Sequence, residues 1–312
     1  MNKIKSISVS DMSGYKYESL DSPNREMVDD IIIECINSLE GTILQRDLII
    51  SLPKLEDIAF DFSLKNEDIL KIQIDEGIDF SDLLGLINRL NNYVGQGIEE
   101  YLCESLNVSL ASSFVDGLEF YRNSSQFPDL FLIDNNTKSI LLSIELKSWF
   151  VFSGDEITAR FHTSPDAIPD GSLLIIYPWL LDRIISGSPL LLAPHIADAK
   201  ELALKRDSAW HKEGVKKVDI VTEDEIKSAI NKIRNKSVGM QWNDKLKVWE
   251  PESDNFGKIW RIYDDAINID FYSKTMQYTI NGRTIASWRT VFSLGLKIKN
   301  LKKSTLKQSQ IF

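Results

Sequence analysis

Residues 127–150 read FPDLFLIDNNTKSILLSIELKSWF, and this stretch constrains the fold of the chain more tightly than any other. Two apolar runs flank the polar segment Asp134-Asn135-Asn136-Thr137-Lys138, which is the pattern of a β-hairpin with an Asn/Asp-rich connection. Asp129 then opens one strand and Glu145 lies late on the other. A strand rises about 3.3 Å per residue, so antiparallel pairing brings the two carboxylates together at one end of the hairpin. Glu145 and Lys147 are two residues apart and leave the same face of their strand. The pattern therefore predicts two carboxylates and an ammonium converging on one spot among apolar strand residues. In a solvated hairpin such charges would be ordinary. Here "SIELKSW" sets them inside an apolar strand, where charges left unpaired are costly.

Two hard oxygen ligands suit Mg²⁺, which takes carboxylates, water and phosphate oxygens. Such an ion can polarise a phosphodiester, lower the pKa of a bound water and stabilise the leaving oxygen. Lys147 could orient or deprotonate the attacking water, or counter charge on the phosphate. The motif Pro128-Asp129 … Glu145-Leu146-Lys147 resembles that of the PD-(D/E)XK nuclease superfamily. The resemblance implies that Asp129 and Glu145 bind the metal, with the backbone carbonyl of Leu146 completing the site. It also implies that Lys147 assists the water nucleophile, and that Mn²⁺ is expected to substitute for Mg²⁺.

Upstream, Ile98, Leu102 and Leu106 recur every four residues with Tyr101 beside them, which predicts an amphipathic helix from Asn91. Glu99 lies at the edge of its apolar face, with Glu100 and Glu104 pointing further out. The resemblance implies a helix before the hairpin whose inward Glu assists the metal, and Glu99 matches that position. Glu119 is the alternative acid. Downstream, Gly171 to Trp179 reads as a strand buried on both faces. Ile157–Thr163 reads as another strand, Leu180–Ile185 as a short helix and Ile196–Trp210 as a longer one. The expected fold class is α/β, a mixed central β-sheet flanked by helices. The resemblance, which covers roughly residues 90 to 220, implies a restriction-endonuclease-like core. A helical N-terminal region and a small β-containing C-terminal region would complete the chain.

With 312 residues, 43% of them hydrophobic, the chain can bury a sizeable core. Three regions are expected: a helical region over 1–88 used for dimerisation or support, a catalytic core over 89–235, and an aromatic and basic region over 236–312. Helical stripes fall in Met27–Leu39 and Phe80–Leu90. Asn281-Gly282, set between alternating residues, is a strong hairpin signal. No apolar run approaches membrane-spanning length, the first twenty residues lack a signal-peptide core, and Cys35 and Cys103 fit no ligand pattern. A cytoplasmic location is expected.

The net charge of −10 is unevenly spread. Residues 1–156 hold 28 acids and 12 Lys/Arg, residues 157–312 hold 18 acids and 24 Lys/Arg, and from Phe271 onward there are eight Lys/Arg and no acid. A chain so divided can bind a polyanion on one face and repel it elsewhere. Arg283, Arg289, Lys297 and Lys299 are the candidates for DNA contact, together with His162 on the strand after the hairpin. The histidines His162, His195 and His211 have no metal-ligand spacing, and no Gly-x-Ser-x-Gly elbow is present.

These readings lead to the expectation of a Mg²⁺-dependent endonuclease, most similar to a type II restriction enzyme. It would cut double-stranded DNA at a short specific site, with a homodimer matching a palindromic sequence. Two alternatives belong beside it. One is a structure-directed repair, recombination or phage-defence nuclease of the same superfamily. The other is a non-catalytic DNA-binding protein that keeps the fold.

Overall fold

The computed structural model describes residues 13–15, 22–44, 80–113, 115–123, 127–152, 161, 163, 165–184, 187–205, 240–243, 248–251 and 269–290. Its elements in chain order are β1 (Ser13–Tyr15), α1 (Ser22–Ser38), α2 (Phe80–Ser112), β2 (Leu118–Arg122), β3 (Leu130–Asp134), β4 (Ser139–Phe150), β5 (Leu173–Leu181), β6 (Pro189–Leu191) and β7 (His195–Asp198). The C-terminal part adds β8 (Met240–Asn243), β9 (Val248–Pro251), α3 (Ile269–Gln277), β10 (Thr279–Ile280) and β11 (Arg283–Thr284). The first seven strands form one mixed, mostly antiparallel sheet with helices against it, so the α/β class holds.

The long strand β4 organises this sheet. Its first half, Ser139 to Ile144, pairs antiparallel with β3, and Leu130 faces Ile144. Its second half, Ile144 to Phe150, pairs parallel with β5. The expected hairpin is present, with the turn at residues 135–138. Asp134 tightens that turn by accepting hydrogen bonds from the Asn136 N–H at 2.8 Å and the Thr137 hydroxyl at 2.8 Å. On its other side β5 meets β7 first and β6 next, both antiparallel.

Two sequence expectations change in this region. β5 runs on through Pro178 to Leu181, where a helix was expected from Leu180. The Pro178 carbonyl points toward β6, accepting from the Leu192 N–H at 2.9 Å. The N–H that proline lacks would face the same side, in the gap between the β7 and β6 ladders, so no bond to β4 is lost. Ile196 to Asp198 likewise belong to β7, and helical backbone begins only at residue 199. Asp198 caps that helix by accepting from the Glu201 N–H at 2.7 Å. The expected strand Ile157–Thr163 falls largely outside the described residues.

Helix α2 is one continuous element where two shorter helices were read, and it passes through the boundary drawn at residue 88. Val94, Ile98, Leu102, Leu106 and Leu110 are buried and recur every four residues, giving one apolar stripe against the sheet. In α1 the buried residues Val28, Ile31, Ile32, Cys35, Ile36 and Leu39 follow the same helical period. The Tyr177 hydroxyl of β5 donates to the Ile36 carbonyl at 2.9 Å, pairing a last-turn carbonyl of α1. Asn91 of α2 accepts from Ser148 Oγ at 2.9 Å and Trp179 Nε1 at 3.1 Å, which fixes the helix across β4 and β5. Cys35 and Cys103 are buried free thiols. Among the described residues, no helix is long and apolar enough to cross a membrane.

In the C-terminal region β8 and β9 form a hairpin, and Thr279–Thr284 form another around Asn281 and Gly282, both at positive φ. That is the backbone the Asn-Gly pair favours. Trp149 of β4 stacks on Tyr272 of α3 with centroids 6.0 Å apart and meets Phe271 at 6.3 Å. These contacts seat α3 on the sheet.

The strand β2 pairs with β3 on one side. On its other side Asn107 of α2 takes the place of a neighbouring strand. Its Oδ1 accepts from the Phe120 N–H at 2.8 Å, and its Nδ2 donates to the Phe120 carbonyl at 2.9 Å. Asn107→Ala leaves both backbone groups unpaired in a half-buried place and is expected to cost about 1–3 kcal/mol. Urea denaturation of the two proteins measures this. Asn107→Asp keeps the acceptor, loses the donor, and should fall between them.

Candidate active site

The site forms where β4 passes from one partner to the next. β3 ends at Leu130, opposite Ile144, so the edge of β4 beyond Ile144 has no β3 backbone beside it. Asp129 fills the first place in that notch, its Oδ2 accepting from the Leu146 N–H at 2.6 Å. The side chain thus continues the ladder by one bond. Within a strand the N–H and C=O of one residue point to the same side. The Leu146 carbonyl therefore faces the notch beside Asp129.

Glu145 and Lys147 flank Leu146 and leave the face of β4 opposite to Ser148, whose hydroxyl meets Asn91 of α2. Lys147 Nζ donates to Glu145 Oε1 at 2.5 Å. The Glu145 side chain is only 8% exposed, and its second oxygen, Oε2, is buried and accepts no hydrogen bond. Burial pushes the Glu145 carboxyl up to about 7; the Asp129 and Glu99 charges add to this and Lys147 opposes it. Burial alone would lower the Lys147 pKa. The Glu145, Asp129 and Glu99 charges and the Glu145 hydrogen bond outweigh it and hold the ammonium above the ordinary lysine value. Lys147 is thus a fixed cation here, suited to orienting a water or countering phosphate charge rather than taking up a proton.

Glu99, on α2, lies near enough for its charge to act on the same groups. Burial raises its pKa, Arg122 opposes this, and the Asp129 charge adds to it, with Lys147 also acting on it. The four residues expected from the sequence, Asp129, Glu145, Lys147 and Glu99, are therefore electrostatically joined at one end of the hairpin. Arg122 joins them without having been anticipated. It lies on β2 directly across from Leu130, and its guanidinium bridges Glu99 Oε2 at 2.8 Å and Glu100 Oε1 at 3.0 Å. The available signal was its place seven residues before Asp129, but the reach of β2 to the helix is set by Asn107 and cannot be read from spacing.

Glu119 does not join the site. It faces Ile133, three pairs along the ladder from Arg122, about 10 Å away. It accepts from the Tyr121 hydroxyl at 2.5 Å and from Asn135 Nδ2 at 3.2 Å. Among the basic candidates, the Arg283 guanidinium lies 5.5 Å from the Trp288 ring centroid, and Arg289 donates to the Tyr272 hydroxyl at 2.7 Å. Through Tyr272 and Trp149, Arg289 is tied to the strand face that carries Glu145 and Lys147. His162, Lys297 and Lys299 lie outside the described residues. His195 stacks on Phe271 at 4.7 Å, and burial, then Lys205, lowers its pKa.

Among the described residues, no three His, Cys, Asp or Glu side chains converge as a metal-binding group. A cation here would rest on the Asp129 and Glu145 carboxylates, the Leu146 carbonyl and oxygens from water or phosphate, a set that suits Mg²⁺. When ionised, Glu99, Glu100, Asp129 and Glu145 stand against Arg122 and Lys147, leaving two negative charges for a divalent ion to offset. The orphaned Oε2 of Glu145 is an acceptor of the kind such an ion engages.

The raised Glu145 pKa has a measurable consequence without metal. In the unfolded chain the carboxyl ionises near its ordinary value of 4.5, whereas in the fold it holds its proton up to about 7. Between these values the folded state binds more protons, so stability falls as pH rises. Thermal unfolding in EDTA should show a loss on the order of 1–3 kcal/mol between pH 5 and pH 8. Glu145→Gln, which does not titrate, should flatten it. Comparison of the chain with protein-family models, with curated proteins and with solved structures returns no match.

Proposed function

We propose that this protein is a divalent-cation-dependent nuclease of the PD-(D/E)XK type, cutting double-stranded DNA at a short specific site as type II restriction endonucleases do. The buried, unpartnered Oε2 of Glu145, set beside Asp129 and Lys147 where β4 leaves β3, is the observation that carries this reading. A carboxylate oxygen desolvated in that way stabilises nothing by itself, and a bound cation gives it a partner. Asp129, Glu145 and the Leu146 carbonyl would hold the ion. Once bound, Mg²⁺ would supply Lewis acidity toward the phosphodiester and a more acidic water.

The protein's own residues account for the rest. Lys147, kept protonated among carboxylates, would orient the water or offset charge on the scissile phosphate. Its present hold on Glu145 Oε1 is one that a cation would compete for. Asp129 keeps one oxygen on the Leu146 N–H and so stays aligned with β4. The polyanion would approach over the face where Trp149, Tyr272 and Arg289 join the basic C-terminal element to the catalytic strand. An acidic N-terminal half and a basic C-terminal half would limit the directions of that approach.

Asp129→Ala, Glu145→Ala and Lys147→Ala should each abolish cleavage, a loss of at least about a hundredfold, with the fold retained. The assay is digestion of a long, fully sequenced DNA with Mg²⁺, beside an EDTA control. Discrete fragments that vanish in EDTA and in all three variants are expected. A smear would assign a structure-directed or non-specific nuclease instead. Normal cutting by all three variants would exclude this site as the centre.

A further inference from the structure

Among the described residues, Arg122 is a cation next to the site that the proposed chemistry does not use. Its position is fixed from three directions. Across the sheet, β2 is paired with β3, and the Asn123 N–H donates to the Asp129 carbonyl at 2.8 Å, so Arg122 keeps step with Asp129. Two residues before it, Asn107 binds Phe120 and holds β2 against α2. At its tip, one planar guanidinium spans the carboxylates of two consecutive helix residues, Glu99 and Glu100. Glu99 is within electrostatic reach of Asp129, Glu145 and Lys147. Without Arg122 it would be a third, unpaired carboxylate beside the notch.

We infer that Arg122 is a positioning residue of the candidate cation site, holding Glu99 back so that Asp129 and Glu145 are the only carboxylates on the cation beside the Leu146 carbonyl. The inference rests on the reading of the notch as a divalent-cation site. Two carboxylates and the Leu146 carbonyl leave about half of an octahedral ion's positions to water and phosphate oxygens, whereas a third carboxylate would tighten the ion and occupy a place that substrate needs. Arginine suits this task because it stays charged at any working pH and presents a fork that a lysine lacks.

The test is Mn²⁺ binding to the full chain, followed by electron paramagnetic resonance of the free ion, with circular dichroism as the check on folding. Arg122→Met should bind Mn²⁺ about tenfold more tightly than the native chain, because it frees Glu99 and removes an adjacent positive charge. In the Glu99→Gln background the same change should gain less than about threefold, since no third carboxylate is released. Arg122→Lys, which keeps the charge but cannot span both glutamates, should fall between native and Arg122→Met; it carries the test if Arg122→Met does not fold. Unchanged Mn²⁺ affinity in both Arg122 variants would overturn the inference. So would an equal gain with and without Glu99, which would reduce Arg122 to a diffuse field effect. A folded native chain that binds no Mn²⁺ would instead overturn the cation reading beneath it.

Discussion

One backbone hydrogen bond governs the geometry around the site: the Leu146 N–H, given up by β3, is taken by the Asp129 side chain. A strand that changes partners exposes a stretch of ladder, and a buried amide left without an acceptor would be expensive. By supplying that acceptor from a side chain, the chain places a carboxylate at the strand edge instead of another peptide unit. Glu145 and Lys147 take their places from the pleat on either side of Leu146. Glu99 and Arg122 are set by the packing of α2 and β2 on the same hairpin. If β3 were one residue longer, a peptide carbonyl would fill the notch and the carboxylates would have no space to meet.

The electrostatics follow from this placement. The site holds more acid than base, with one carboxylate desolvated enough to hold its proton up to about 7. The Lys147 pKa is raised as well, its burial cost exceeded by the carboxylates around it. Such a pair is poised for a change of partner: anything that takes over Glu145 releases an ammonium already aimed into the site. Structural ion pairs in other folds share the motif of a buried acid beside a lysine. The second, unpartnered oxygen of Glu145 distinguishes this one.

The hairpin and its consequences were legible in the sequence because they rest on local rules. Asn135 and Asn136 mark the turn, alternation fixes the faces, and strand rise brings Asp129 to Glu145. The Asn281-Gly282 turn was legible for the same reason. What local rules missed depends on neighbours distant in the chain. Leu180 and Leu181 read as helical until β6 supplies a strand partner, and Ile196 does so until β5 does. The break expected near residue 90 is absent because α2 stays on one face of the sheet, anchored there by Asn91. Arg122 could not have been singled out among the basic residues, since its meaning comes from a helix 22 positions upstream.

Asn107 has a wider consequence. The outermost strand of an open sheet is a template on which a foreign strand can grow, the route by which many β-containing proteins exchange segments or aggregate. At the middle of β2 that template is already read by a side-chain amide, which offers the backbone the donor and acceptor an incoming strand would bring. A newcomer would have to displace Asn107 from both bonds and lift α2 to do so. Helix α2 here shields a sheet edge, eight residues beyond Glu99 on the same helix.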